Sequence, residues 1–405
     1  MPWYIGKVPP QSEQPGPSGA IAVLAVAAFL SGAALRICDG LIPRVARDFG
    51  VSPGVAGRVV VTFSIAYGAM QLVFGPLGDR FGKVRVITCA LVGGTFTAAI
   101  AAASASFDTL VVARIGWGMA AGGIIPLSLA WVGDAVPYER RQATLARLLT
   151  GILSGMMAGQ LAGGLFADAG VGWRGAFVMM SAGYAVVAVL LLVRLRHVSA
   201  AATAAPAGPW RSQLHAVLGN RWSWWVLGSA LTEGVFLLGP LAYLPALLHE
   251  RFAISVSAAS AMIALYAVGG LVYAMTARHF VARWGERRMV VRGCLIMAAG
   301  LLALLGSPVA WTAAPVALIV GFGTYLYHNT LQTHGTQMAP TARGTGMGLF
   351  AFCLFGGAAL GTSWAGIAFD RGGAAALLLP PIVVLPLAGW AFARALARRA
   401  PHAAG

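Results

Sequence analysis

Charge is scarce in this chain. Asp, Glu, Lys and Arg make up 10% of its 405 residues, where soluble globular proteins carry about 25%. That deficit excludes a string of ordinary soluble domains. Asparagine occurs twice and never in the Asn-x-Ser/Thr pattern that accepts glycans. Cysteine occurs four times, as Cys38, Cys89, Cys294 and Cys353, with no CxxC spacing. Each falls in a different apolar stretch, so they read as small core hydrophobes and not as a disulfide or zinc framework. No phosphate-binding loop, HExxH helix or nucleophile elbow is present. The sequence therefore predicts no enzyme, no cofactor and no resident metal.

Hydrophobic residues take up 59% of the chain, and its mean hydropathy is +0.78. They come in about twelve blocks, near 20–43, 55–77, 84–104, 109–133, 143–167, 173–194, 222–248, 256–277, 288–306, 311–337, 344–369 and 374–393. Blocks of this length cross a hydrocarbon core of roughly 30 Å as helices. The net charge of +16 would suit a nucleic-acid surface, but its distribution argues otherwise. Twenty of the 28 Lys and Arg residues lie at the termini, in the even-numbered connections or at the span ends beside them. Six lie in odd connections or at the span ends beside them, and Arg36 and Arg114 lie inside spans. This is the positive-inside pattern, which puts both termini in the cytoplasm and directs the charge to lipid headgroups, not to nucleic acid.

The polar, Pro-rich residues 1–19 read as a disordered cytoplasmic tail, not a signal peptide. The Ala/Pro-rich segment 196–221 reads as a cytoplasmic linker between halves 20–195 and 222–395, with 396–405 as a second tail. Composition rich in Ala, Gly and Arg fits a bacterial inner membrane. An offset of 203 aligns the halves without a gap. It places Phe49 on Phe252, Ser52 on Ser255, Arg80 on Arg283, Gly82 on Gly285, Arg85 on Arg288, Gly118 on Gly321, Pro137 on Pro340, Arg140 on Arg343 and Gly163 on Gly366. Two parallel repeats imply a site between them near the membrane midplane.

Between spans 2 and 3 stands Gly75-Pro-Leu-Gly78-Asp79-Arg80-Phe-Gly82-Lys83-Val-Arg85. It resembles the loop signature G-x-L-[AG]-D-[RK]-x-G-[RK]-[RK] of the major facilitator superfamily, and a degenerate copy sits at 278–288. The resemblance covers about residues 20–395 and implies an all-α fold of twelve transmembrane helices in two six-helix pseudo-symmetric halves, working as a monomer. It also implies a conformational latch of Gly75, Gly78, Asp79, Arg80, Gly82 and Lys83, in which Asp79 meets the start of span 11 and Lys83 pairs with Asp134. A solvated basic loop that only fixes topology is the plain alternative.

Two further segments carry weaker likenesses. Arg114-Ile-Gly-Trp117-Gly118 in span 4 looks like the R-x-x-Q-G motif of proton-driven exporters in that superfamily, with Trp117 where Gln is usual. Gly155-x-x-x-Gly159-Gln-x-x-Gly163-Gly164 in span 5 resembles its antiporter signature, with Gln160 replacing Pro; its small residues also suit close helix packing.

Charges inside a bilayer are functional candidates by default. In span 1, Arg36 and Asp39 lie three residues apart and share a helical face; Asp39 and Arg114 both fall in the outer half of the membrane, where they can meet. Asp39, modulated by Arg114 and Arg36, is the expected proton carrier, and a permanent structural pair is the alternative. Glu233, mid-span 7, shares a face with Phe236, Pro240 and Tyr243. A second proton site, a ligand for a cation and a neutral hydrogen-bonding acid remain open for it. Span 10 carries a polar stripe of Tyr325, His328, Asn329 and Gln332. With spans 1, 4, 7 and 10 lining the cavity, as the resemblance implies, this stripe is the candidate substrate wall, faced by Trp117, Ser128 and Trp131. Ser64, Tyr67 and Gln71 of span 2 form a weaker stripe. Few charges and several aromatics suit an uncharged or cationic amphipathic substrate.

The expected function is thus alternating-access, proton-coupled efflux of small organic molecules. An importer or facilitator is the alternative within the class, and a non-transporting receptor or scaffold the alternative outside it. The His334-x-x-x-Met338 spacing admits a soft metal ion, which makes a metal importer a further, weaker candidate.

Overall fold

The computed structural model describes residues 17–195 and 210–399. Most of both expected tails and the first part of the expected linker, 196–209, lie outside the described residues. Within them, every regular element is a helix. That is the requirement of an oily environment, in which each backbone amide must find its partner within its own segment. The first half comprises α1 (Pro17–Arg36), α2 (Ile42–Phe49), α3 (Pro53–Ala56), α4 (Arg58–Phe81), α5 (Lys83–Ala102), α6 (Phe107–Ala121), α7 (Ile124–Ala135), α8 (Tyr138–Asp168) and α9 (Gly172–Leu195). The second begins with α10 (Trp210–Leu218), which caps the linker, and α11 (Arg221–Glu233). A π-helical turn, Gly234–Leu238, leads to α12 (Gly239–Leu241) and α13 (Leu244–Phe252), then α14 (Val256–Gly306), α15 (Ala313–Gln337) and α16 (Arg343–Arg399).

Among the described residues, ten helical stretches are long and apolar enough to cross a membrane. Two of them are too long for one crossing. α14 has 51 residues and α16 has 57, which at about 1.5 Å per residue is more than twice the hydrocarbon thickness. Each is broken at a glycine with positive φ, Gly285 (φ 65°, ψ 165°) and Gly373 (φ 54°, ψ −140°). Gly82, the repeat partner of Gly285, separates α4 from α5 with φ 89°. Only glycine takes such angles without strain, so the connections expected near 278–287 and 370–373 shrink to single residues.

Four of the expected continuous spans are interrupted, span 2 only near its start, at Gly57. Span 1 leaves helical geometry over residues 37–41, span 4 at 122–123, and span 7 at the π turn and again at 242–243. At the repeat offset, Asp39 and Gly40 fall on Ala242 and Tyr243, so the breaks in spans 1 and 7 are the same feature twice. The Arg36–Asp39 face and the 233–236–240–243 face were both drawn on regular helices. In the structure, Asp39 lies past the end of α1, and the wider π turn shifts the register between Glu233 and Tyr243.

Within the first half α1 packs on α8, α4 on α6, and α5 on α9; within the second, α14 packs on α15 and α16. The halves meet where α8 packs on α14 and α4 on α16. The glycine stripe of span 5 explains the α1–α8 contact. Gly155, Gly159 and Gly163 lie directly against the carbonyls of Phe29, Ala33 and Ile37, one turn apart on each helix, while Gly164 faces Ser260 of the other half. A side chain at Gly159 must displace the α1 backbone, whereas Gly228 has open space around it. Gly159→Leu is expected to destabilise the purified protein by about 1–3 kcal/mol, read as a lowered thermal midpoint in detergent, with Gly228→Leu unchanged.

Candidate functional site

Asp39 is fully buried at the break after α1. Its Oδ2 accepts from Arg36 Nη1 at 3.2 Å, and its Oδ1 has no hydrogen-bond partner in the protein. The site lies on the seam: Gly40 touches Gly164 and Ser260, and Arg36 stands 5.9 Å from the ring centre of Tyr266 in the other half. Arg114, also buried, is near enough for its charge to act on Asp39, without direct pairing. Its Nε donates to the carbonyl of Val59 at 3.0 Å, its Nη1 is unpartnered, and no bond joins it to Asp39. Its guanidinium lies over Phe63 at 4.0 Å and Trp117 at 4.6 Å. These are cation–π contacts that partly replace lost solvation. Trp117 packs edge-on to Phe177 and Tyr184. It is fully buried inside the first half, against Arg114. Ser128 is likewise buried and donates to its own helix at Ile124, and Trp131 is 9% exposed.

Glu233 is paired. His328 Nδ1 lies 2.9 and 3.1 Å from its two carboxylate oxygens, tying span 7 to span 10 immediately before the π turn. π turns are frequent at functional positions, and burying Glu233 without such a partner would be costly. The polar stripe of α15 continues around this pair. Asn329 Nδ2 donates to the hydroxyl of Tyr273 at 3.0 Å, Tyr325 rests against Tyr273 and His328, and Gln332 is exposed. Tyr67 of the span 2 stripe meets Phe355 across the seam, with ring centres 4.7 Å apart. His334 does not face Met338 as a metal ligand would: its Nε2 is 3.0 Å from Glu286, and its ring lies between Trp222 and Phe392.

The halves are clamped together at the end that carries the odd connections. Asp168, the last residue of α8, accepts from the backbone of Val256 at 3.3 Å and of Ser257 at 2.8 Å, at the start of α14. Asp370, before the break in α16, accepts from Ser52 Oγ and from the backbone of Gly54 at 2.9 Å, where α3 opens. Carboxylates favour the positive start of a helix, whose first amides lack partners. Residues 52 and 54 correspond to 255 and 257 at the repeat offset. The same helix-start amide, at 54 and 257, is thus used in both clamps, in opposite directions across the seam, while the acids fall one position out of the repeat register. Glycine is obligatory at position 54, where a Cβ would fall on the Asp370 carboxylate. Tyr243 belongs here as well, donating to the carbonyl of Gly54 at 3.2 Å and stacking on Phe369.

At the opposite, basic end the loop Gly75–Arg85 is half-formed as a latch. Lys83 Nζ bridges Asp79 at 3.0 Å and Asp134 at 2.6 Å. All three lie in the first half, and Asp79 makes no bond to the start of span 11. Gly78 packs under Leu127 with no room for a side chain, Arg80 lies over Phe81, and Gly75 is open. The sequence matches the profile of the Major Facilitator Superfamily over residues 24–362. The chain belongs to the major facilitator superfamily. It is a multi-pass membrane transporter, not an enzyme.

Relatives within the superfamily include a Streptomyces coelicolor protein named "Probable transporter", 27% identical over 88% of this chain and 84% of its own length. A chloramphenicol resistance protein of Streptomyces lividans is 30% identical over 48% of this chain. The match covers 50% of that relative, and only 34% of a Streptomyces coelicolor "Probable actinorhodin transporter". Among solved structures, a bacterial homologue of the lysosomal transporter Spinster, inward-facing and unoccupied, superposes with a TM-score of 0.76 at 18% identity, over 96% of this chain and 98% of that one. The nucleoside transporter NupG gives 0.73 at 16% identity, over 92% and 98%. These likenesses establish the fold.

The clamp residues Asp168 and Asp370, with Ser52, Gly54 and Ser257, were not singled out as site residues from the sequence. The available signal was that Ser52 and Ser255 match across the repeat and that two of only 12 acidic residues end spans 5 and 11. Asp168→Asn is expected to speed amide exchange at Val256 and Ser257, and Asp370→Asn at Gly54. The expected change is about fivefold, for a loss on the order of 1 kcal/mol, measured by hydrogen–deuterium exchange; unchanged rates would mean that the clamps carry no weight.

Proposed function

We propose that this transporter is a proton-coupled exporter of small uncharged or cationic amphipathic molecules in a bacterial inner membrane. Both termini lie in the cytoplasm and the chain makes twelve crossings. The observation that carries the proposal is Asp39, a buried carboxyl on the seam with one oxygen held by Arg36 and the other free. A charged carboxylate in so dry a place is costly, and a proton removes that cost. Protonation also releases Arg36, which faces the other half over Tyr266. Loading and unloading Asp39 thereby changes how well the seam fits, and that is the coupling an antiporter needs.

The charge pattern makes the clamped end periplasmic, so this conformation opens towards the cytoplasm. In that state Lys83, Asp79 and Asp134 keep their ion pairs within one half, and Asp79 is available to engage span 11 when the basic end closes. Glu233 and His328 act as a second protonatable pair, with Tyr325, Asn329 and Gln332 as the substrate-facing wall. Arg114 and Trp117 brace the first half behind Asp39. Relatives named for chloramphenicol resistance and efflux support export as the direction.

Everted vesicles with an acid interior test this directly. A panel of dyes, antibiotics, nucleosides and amino acids is added while interior pH is followed. Wild type is expected to alkalinise with one class of compound. Asp39→Asn is expected to abolish that signal yet retain substrate-dependent thermal stabilisation. Full pH-driven exchange in Asp39→Asn would remove Asp39 as the carrier, and substrate-triggered acidification would reverse the direction to symport.

A further inference from the structure

The second copy of the loop between helices has exchanged its chemistry. At the repeat offset, Asp79, Lys83 and Asp134 correspond to Ala282, Glu286 and Gln337. Two acids around a base have become a lone acid, and Glu286 is taken by His334. Beside that pair, at the basic end of the second half, opens a groove of about 1140 Å³. Five arginines line it: Arg287, Arg288, Arg292, Arg394 and Arg399. Among the described residues none of the five forms an ion pair with a carboxylate. Three stand over indole rings, Arg292 at 4.4 Å from Trp284, Arg394 at 3.6 Å from Trp390 and Arg399 at 4.6 Å from Trp222.

Glu286, the one acid in the lining, is shared with His334 and leaves the five guanidinium groups in large excess. Converging guanidinium groups repel one another, and an anion that bridges them turns that repulsion into attraction. Arginine's fork matches phosphate in particular, and stacking on indole holds the fork in place. We propose that this groove binds the phosphate headgroup of an anionic phospholipid from the leaflet at the basic end.

Three features favour a lipid over a dissolved anion. The groove exceeds the roughly 300–1,000 Å³ of ordinary small-molecule pockets, so inorganic phosphate would occupy a small part of it and could not span five arginines. Its indoles stand at the ends of membrane-crossing helices, the depth at which tryptophan favours the headgroup region; Trp390 is 49% exposed. Val291 and Leu396 add an apolar wall along which the start of an acyl chain can lie. Basic pockets between helices on the cytoplasmic side are established headgroup sites in membrane proteins generally. Every lining residue belongs to the second half, so a bound lipid anchors that half to the leaflet. This inference depends on the membrane reading and not on the efflux reading.

The full-length protein, stripped of lipid in detergent, is titrated with phosphatidylglycerol or phosphatidylcholine and followed by native mass spectrometry. Wild type is expected to retain phosphatidylglycerol at least about tenfold better. The double variant Arg292→Gln/Arg394→Gln is expected to bind the two alike, while Arg371→Gln, at the opposite end, keeps the preference. Thermal stabilisation of wild type by phosphatidylglycerol over phosphatidylcholine gives a readout that needs no variant. Equal retention of both lipids by wild type, or an unchanged preference in the double variant, would overturn the proposal. Displacement of the lipid by glycerophosphoglycerol or inorganic phosphate at similar concentration would overturn it too, making this a site for a dissolved anion.

Discussion

Two carboxylates, each laid on the start of a helix from the other half, are the contacts on which this conformation depends. Asp168 reaches from α8 to α14, and Asp370 reaches from α16 to α3. Their geometry follows from the repeat. Spans 5 and 11 are symmetry mates and end at the same level, while spans 8 and 2 begin beside them with a matched serine. Such contacts suit a moving seam. Backbone amides at a helix start stay in place when the carboxylate leaves, and water can replace either partner at the surface, so the seam opens without stranding a buried charge. Glycine at 54 and tyrosine at 243 shape the same end, one by leaving room and the other by donating to the vacated backbone level.

Deeper in the protein, at the seam for Asp39 and within one half for Arg114 and Glu233, the balance differs. Asp39, Arg114 and Glu233 lie where water is scarce, and each is held incompletely or by a titratable partner. Arg36 satisfies one oxygen of Asp39, aromatic faces surround Arg114, and His328 meets Glu233. Groups of this kind are tolerated because the chain is broken beside two of them: span 1 unwinds at Asp39, and span 7 widens into a π turn after Glu233. Irregular backbone within a membrane persists where protein covers it, and there it builds binding and coupling sites.

The fold was largely legible because it depends on bulk quantities. Block length, charge asymmetry and the offset of 203 each sum over many residues. Glycine spacing in span 5 also reads directly, since only small residues permit the α1 carbonyls so close. The site was legible as a set of residues and much less as a set of partners. Nothing in spacing tells that Glu233 meets His328, 95 positions away, or that Arg114 lies over the ring of Trp117. Tyr243 shares a face with Glu233 only if span 7 is a regular helix, and the breaks in span 7 leave it at the clamped end, on Gly54 and Phe369. Spacing also does not tell that Arg114 reaches Asp39 by its charge and not by a hydrogen bond, because depth does not fix rotation about a helix axis.

The central claim is that the two halves rock about the seam, one end opening as the other closes. Spin labels across the clamped end, at residues 169 and 254, and across the basic end, at residues 80 and 343, measure both gaps in one protein by pulsed electron resonance. With protonation and substrate varied, the account predicts distances that change in opposite senses, short at the clamped end whenever they are long at the basic end. Two gaps that widen and narrow together, or neither responding to proton or substrate, would contradict it.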